Sequence, residues 1–413
     1  MDLIFYSLII LLALYVAWHL GGNDVANSMG TSVGAKVINL QQALVIAGIL
    51  EFTGAVLFGQ TVASKLATSI VNVELFTPTP QILLRGMVSV LIACGLWLQI
   101  ATTLGLPVAS SHAVIGAIAG FSGVALGLSG IDWQNLGLIS LGWIITPLVS
   151  GLIAFIFYYF LKKQILDHAS DLILLEWIPW LSVILVSIFG IIVLPVVLGQ
   201  AWLSFIPLPP QDWAIILIII GTIVLTINAW QEVEKPIDET NPQPNIERTL
   251  GKFQIVSACF VAFAHGSNDV GNAIAPLAVI NYILSHNSVP IGEINLPYWL
   301  LLIGGIGIVA GLATEGKKVI TTIGENIIPL QPSSGFSAEV ATATTILLAS
   351  RFGFPVSTSH ALVGAVVGVG LAAKQREKIS FTTLKSVVLA WFLTLPVAAV
   401  FSAVSFKLLE IIW

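Results

Sequence analysis

Runs of apolar residues recur along the chain, separated by short gaps marked with polar residues, proline or glycine. A helix needs about 20 apolar residues to cross a bilayer. On this pattern, segments fall near residues 3–25, 41–65, 83–104, 107–130, 136–162, 178–203 and 212–230, then near 252–280, 296–316, 336–352, 355–374 and 383–410. These are twelve apolar segments, and the pairs that meet at Pro107 and at Pro355 suit re-entrant hairpins as well as full crossings. The long polar stretch, 231–251, contains Glu232-Val-Glu-Lys-Pro-Ile-Asp-Glu-Thr-Asn-Pro-Gln-Pro-Asn245. Its prolines and charges predict an exposed linker. The expected organisation is therefore a first half with additional helices over 1–230, the linker over 231–251 and a second half over 252–413.

Composition fixes the class. Hydrophobic residues make up 57% of the 413 and charged residues 9%, with a mean hydropathy of +0.98, whereas soluble domains carry roughly 25% charged residues. An all-α polytopic membrane protein embedded in the lipid bilayer is expected, and the net charge of −5 then says little about partners. Cys94 and Cys259 fit no disulfide framework or metal spacing. The N-terminus lacks the basic region of a signal peptide, so its apolar run reads as a retained first helix. Trp177, Trp180 and Trp213 read as interfacial belt residues. Gly311-Leu-Ala-Thr-Glu-Gly316-Lys317-Lys318 approaches a phosphate-binding loop but lacks the final Ser or Thr and ends an apolar helix. Neither nucleotide nor nucleic acid is expected as a partner.

Basic residues give an orientation. If segments alternate sides, one side receives Lys36, Lys162, Lys163, Lys235, Arg248, Lys252, Lys317, Lys318, Lys374, Arg376, Lys378 and Lys385. The other receives Lys65, Arg85, Arg351 and Lys407. Twelve against four predicts a cytoplasmic linker and two outward-facing termini. Counting a hairpin as zero crossings leaves the parity unchanged.

The polar interruptions carry the chemistry. Gly21-Gly22-Asn23-Asp24-Val25-Ala26-Asn27-Ser28 lies in the first apolar segment and returns 245 residues later as Gly266-Ser267-Asn268-Asp269-Val270-Gly271-Asn272-Ala273. An ionisable residue within a membrane span costs at least ~2.5 kcal/mol on the insertion scale and is a functional-site hypothesis by default. A lone asparagine there is as readily explained by bonding between helices; a duplicated Asn-Asp pair is not. A second repeat matches Gly105–Gly120 with Gly353–Gly368, identical at nine of sixteen positions and containing Pro107-Val-Ala-Ser110-Ser111-His112 and Pro355-Val-Ser-Thr358-Ser359-His360. Seven crossings precede the second half, an odd number, so the repeats have inverted topology. Inverted repeats with polar interruptions at matching places are the sequence sign of a secondary transporter with a midplane site.

Glycines 21, 22 and 30, and Gly266, Gly271 and Pro276, predict helices broken within each Asn-Asp motif. Asn23, Asn27, Asn268 and Asn272 would then serve the freed backbone groups or a cation, and Asp24 and Asp269 would only accept. In the second motif, Ser110, Ser111, Thr358 and Ser359 stand where a new helix begins, a position suited to an oxyanion. Backbone capping by the same hydroxyls is the plainer alternative. His112 and His360 suit two roles equally, orienting the hairpin backbone or acting as ligand or proton carrier. Two aspartates beside an anion need positive charge in a low-dielectric site, and neither motif contains Lys or Arg. Bound cations, protonated carboxylates, or protonated His112 and His360 are the candidates. Cation-coupled anion symport follows from this charge balance.

These residues resemble the inorganic phosphate transporter (PiT) family, whose duplicated Gly-Ala-Asn-Asp-Val-Ala-Asn-Ala is similar to 21–28 and 266–273. Its companion Pro-Val-Ser-Thr-Thr-His looks like 107–112 and 355–360, and Gln331-Pro-Ser-Ser-Gly-Phe-Ser-Ala-Glu339 also resembles a family stretch. The resemblance implies import of inorganic phosphate with Na⁺, more than H⁺, as coupling ion, no other cofactor, a homodimer and a location in the cell (plasma or inner) membrane. It assigns phosphate binding to Ser110, Ser111, Thr358, Ser359, Asp24 and Asp269. It assigns cation binding to Asn23, Asp24, Asn27, Asn268, Asp269 and Asn272. Glu51 and Glu339 match acidic positions linked to coupling, and with His112 and His360 are the coupling or gating candidates. Gly22 and Ser267 replace the motif alanine, Ser110 stands where Thr is usual, and the linker is short.

Three other readings are distinguishable. A sulfate permease of the same fold would take an oxyanion without a proton to donate. A passive anion channel would conduct without a cation gradient. An intramembrane aspartyl protease would also use two aspartates, but its chemistry has no use for the duplicated asparagines or Ser-Ser-His elements. A transporter and not an enzyme is expected.

Overall fold

The computed structural model describes residues 3–106, 108–200, 209–235, 245–324, 329–375 and 379–413. Pro107 and most of the polar linker lie outside them. Among the described residues are fourteen α-helices: α1 (Leu3–Gly34), α2 (Leu40–Phe58), α3 (Gln60–Thr68), α4 (Pro80–Thr103), α5 (Ser110–Leu126), α6 (Trp133–Gln164), α7 (Asp171–Ile192), α8 (Leu194–Leu198), α9 (Pro210–Val233), α10 (Asn245–His286), α11 (Tyr298–Gly324), α12 (Pro332–Arg351), α13 (Thr358–Ala372) and α14 (Phe381–Ile412). Nine of the described helices are long and apolar enough to span a membrane.

Polarity is inside out relative to a water-soluble protein. Phe392 is 77% exposed and Ile144 62%, whereas Asp24 and Asp269 are each 1% exposed and Glu51 and Glu339 are fully buried. Only hydrocarbon makes that distribution favourable, because in lipid every polar group must find its partner within the protein. The chain is a multi-pass integral membrane protein.

Several helices start earlier than hydropathy suggests. α7 begins at Asp171 rather than 178, where the Asp171 carboxylate accepts from Asn245 Nδ2 at 2.9 Å. α10 begins at Asn245, inside the sequence-defined linker. Its charged first turn is held by Ser333, whose backbone N–H and hydroxyl donate to Glu247 at 2.9 and 2.7 Å, and by Arg248 against Glu232. Cross-helix partners make these polar turns helical.

A larger correction concerns the breaks. The Asn-Asp motifs do not interrupt their helices: α1 runs through 21–28 and α10 through 266–273. The helices break elsewhere, at Gly59 between α2 and α3, at Val193 between α7 and α8, and at the turns that follow α4 and α12. The motif glycines serve helix–helix approach instead. A Cβ on Gly21 would collide with the Ile308 carbonyl of α11, and one on Gly266 with the Glu51 carbonyl of α2. Without a hydrophobic force between helices in lipid, such backbone proximity supplies the packing.

The two halves are built alike and interlock. α1 packs on α11 while α10 packs on α2; α5 packs on α14 while α13 packs on α6. Gly116 and Gly120 meet the backbone of Leu395 and Ala399, and their counterparts Gly364 and Gly368 meet Pro147 and Gly151. Each repeat thus completes its core with helices of the other.

Candidate functional site

The site begins at two turns. α4 and α12 both end in a glycine with positive φ, Gly105 at 66° and Gly353 at 71°. In the first turn Leu106 N–H donates to Ala101 O and Gly105 N–H to Thr102 O; in the second Phe354 N–H donates to Ala349 O and Gly353 N–H to Ser350 O. These paired bonds define a Schellman stop, which L-residues with a Cβ resist at the glycine position. The Asn-Asp motifs hold both turns. Asn23 Nδ2 donates to Leu106 O at 3.1 Å and Thr102 Oγ1 at 3.4 Å; Asn268 Nδ2 donates to Phe354 O at 3.3 Å and Ser350 Oγ at 3.1 Å. Asn23 and Asn268 lie well inside α1 and α10, so each helix pair reverses beside the interior of a long neighbouring helix.

Beside these tips the carboxylates converge. Ligand atoms of Asp24, His265 and Asp269 all lie within 4.8 Å of one another. His265 Nε2 is 2.9 Å from Asp269 Oδ2 and its Nδ1 is 3.2 Å from Glu51 Oε2. Ser28 Oγ donates to Glu51 Oε1 at 2.7 Å. Thr358, the first residue of α13, donates to Asp269 Oδ2 at 3.0 Å, and Asn272 Nδ2 donates to Ser110 Oγ at 3.3 Å at the start of α5. Neither Asp24 oxygen has a donor in hydrogen-bonding geometry, and Ser111 Oγ is also without a partner. Asn27 is 5% exposed. Ser359 is turned to Ser357, hydroxyl to hydroxyl at 3.0 Å. The arrangement offers carboxylate and carboxamide oxygens for a hard cation, next to two helix starts suited to an oxyanion.

A second polar centre surrounds Glu339. Its Oε1 accepts from Thr31 Oγ1 at 2.7 Å, Ser32 Oγ at 2.6 Å and Gln254 Nε2 at 3.1 Å, and its Oε2 from Ser257 Oγ at 2.6 Å. α1, α10 and α12 are joined through this one buried carboxylate.

The profile of the phosphate transporter family matches residues 20–402. The chain belongs to the phosphate transporter family. Proteins named "Putative phosphate permease" in Pyrococcus furiosus and Haemophilus influenzae are each 36% identical to it, over 402 and 403 residues, covering 97% of this chain and 95% of each relative. A solved structure described as "The sodium-dependent phosphate transporter" superposes with a TM-score of 0.90 at 34% identity, covering 99% of both chains. Membership makes the protein a transporter and removes the protease reading.

Within this phosphate transporter, the histidines are arranged differently from the sequence-based charge balance. His112 and His360 pack edge to face, ring centroids 4.9 Å apart, and each lies on a tryptophan: His112 on Trp143 at 3.8 Å and His360 on Trp391 at 3.7 Å. Their Nδ1 atoms pair crosswise with the Trp391 and Trp143 carbonyls at 3.2 and 2.9 Å. Among the described residues neither bonds to Asp24 or Asp269. The cationic candidate at the carboxylates is His265, which the sequence reading overlooked. The available signal was its i,i+4 spacing to Asp269, which places both on one helix face. Ser28, Thr31, Ser32, Gln254 and Ser257 were also missed; a hydroxyl in a span carries no local mark of which distant carboxylate it serves.

Proposed function

We propose that this family member imports inorganic phosphate by Na⁺ symport through alternating access of the two interlocked repeats. The observation that carries the reading is the convergence of Asp24, Asp269, Glu51 and His265. Three carboxylates face one histidine, so the cluster is net negative even with that histidine protonated, and an oxyanion beside it requires further positive charge. At 4.8 Å two like charges repel by about 3.5 kcal/mol at an effective dielectric of about 20. Na⁺ held by Asp24 and Asp269 with Asn27 and Asn272 removes this cost. Asn23 and Asn268 belong to the hairpin tips. Phosphate then rests between the helix starts, met by Ser110 and Ser111 on one side and Thr358 and Ser359 on the other. Protonated phosphate donates to an aspartate, which sulfate cannot do. His112 and His360 orient the hairpins, while Glu51 and Glu339 tie the cation region to neighbouring helices.

In the same proposal, the helices through α9 and those from α10 onward are the two working units, the connection between them is cytoplasmic, both termini face out of the cell membrane, and the transporter is a homodimer. The test is labelled phosphate uptake into proteoliposomes under an imposed Na⁺ gradient or an imposed H⁺ gradient, with excess sulfate as competitor. Uptake driven by Na⁺ and indifferent to sulfate is expected. Uptake driven by H⁺ alone overturns the coupling ion, and accumulation of sulfate in place of phosphate overturns the substrate.

A further inference from the structure

A second histidine–carboxylate pair lies on another face of α1. His19 precedes Asp24 by five residues, which places it about 140° around the helix from that carboxylate. Its Nδ1 is 3.3 Å from Glu315 Oε2 on α11. His19 is 2% exposed, and neither its ring nitrogens nor Glu315 Oε2 has an aligned hydrogen bond. Tyr15 meets the imidazole edge-on at 4.6 Å, and Trp18 Nε1 donates to Thr314 Oγ1 at 2.7 Å. Glu315 also reaches the first motif, since a Cβ on Gly22 would lie 2.9 Å from its Oε2.

The other repeat shows that the fold does not require this pair. Gly311 abuts the Trp18 carbonyl in the α1–α11 contact as Gly54 abuts the Phe263 carbonyl in the α10–α2 contact. That register sets Ala264 in the place of His19 and Phe58 in the place of Glu315, both buried. The same helix packing is therefore made once with apolar side chains and once with two ionisable ones. His19 is the buried member, while the Glu315 side chain is 23% exposed near the end of its span; burying an imidazole against a carboxylate costs more than an apolar pair of similar volume.

We propose that His19 and Glu315 form a proton-binding site, separate from the central carboxylates, that holds α1 against α11 when occupied. With one proton the pair is neutral overall, as imidazolium with carboxylate or imidazole with carboxylic acid. Without it, the carboxylate keeps its full charge and is met only by the Nδ1–H of a neutral imidazole instead of an imidazolium, and the contact loosens beside Gly22. Among the described residues the titratable groups facing His19 are Glu315 and, on its own helix, Tyr15. Of the other helices packed on α1, α4 brings Cys94 next to Gly95, on which Tyr15 packs. α2 directs Glu51 to His265, α10 directs His265 and Asp269 to the centre, and Glu339 on α12 is bonded to Thr31 and Ser32. Lys317 stands two residues beyond Glu315, exposed.

The test compares thermal unfolding midpoints of the purified full chain between about pH 6 and about pH 9 at fixed Na⁺ and phosphate. The variants are Glu315→Gln and the double substitution His19→Ala with Glu315→Phe, which copies the other repeat. Groups elsewhere titrate alike in all three and cancel in the differences. The expected result is a midpoint difference between wild type and each variant that moves by several degrees, against the wild type, as pH rises. A difference constant across the range overturns the proposal, and Glu315→Gln alone decides it if the double variant does not fold. The unfolding arm stands without the transport reading. A second arm rests on it: the ratio of phosphate uptake at the two pH extremes should approach one in Glu315→Gln, and an unchanged ratio refutes the link from this pair to transport.

Discussion

Replacing Asp24 by Asn separates the charge of the central site from its shape. In the wild type, Asp24 lies within 4.8 Å of both Asp269 and His265. Its repulsion from one and its attraction to the protonated form of the other are each at least about 3.5 kcal/mol at an effective dielectric of about 20 and largely offset one another, with Glu51 adding a weaker repulsion. Neither Asp24 oxygen has an aligned donor, and the contact disturbed is the weaker approach of the Ser110 hydroxyl. The unliganded variant should therefore unfold within about 1–2 kcal/mol of wild type. The Na⁺ response should differ sharply. A cation that binds the folded state contributes about 2.7 kcal/mol at a hundredfold excess over its dissociation constant, and Asp24→Asn removes one of the two carboxylates proposed to hold it. The assay is unfolding in detergent with Na⁺ replaced stepwise by choline, run beside Na⁺-driven phosphate uptake. Loss of the Na⁺-dependent increment together with uptake is expected, with the baseline nearly unmoved. A full Na⁺ increment retained in both Asp24→Asn and Asp269→Asn would refute the reasoning.

Two further perturbations test the packing and the histidine assignment. Gly266→Val drives a branched side chain into the Glu51 carbonyl; overpacking of this kind costs about 1–3 kcal/mol, so a lowered unfolding midpoint with separation of α2 from α10 is expected, and a cross-link between introduced cysteines on those helices reads it. His112→Leu and His360→Leu each remove one bond to a tryptophan carbonyl, worth about 1 kcal/mol. Stability should fall by about that much while Na⁺ dependence persists, and loss of Na⁺ dependence at unchanged stability would return these histidines to the charge balance.

Much of the site was legible because it is written twice. The repeated Asn-Asp and Ser-His motifs named residues that the structure brings close together, whereas the sequence left open whether the segments meeting at Pro107 and Pro355 turn back, and the structure describes turns at Gly105 and Gly353. The helix breaks were misplaced because glycine signals two things in a membrane span. It permits a bend, and it permits another backbone to approach. Gly21 and Gly266 have the second use, and the partner that shows it, Ile308 or Glu51, is far away in sequence.

The sequence alone determined that the chain lives in lipid, since apolar runs of span length have no other favourable solvent. It also determined that the two halves carry the same polar residue types at matching spacing, since duplication preserves them regardless of how the halves meet. Only the tertiary structure decided which charges meet. His265 joins Asp269 and Glu51, His112 joins His360 and the tryptophans, and Glu339 gathers donors from two other helices. Coulomb and hydrogen-bond energies fall off over a few ångströms, and positions hundreds of residues apart come within that range only when interlocked helices bring them there.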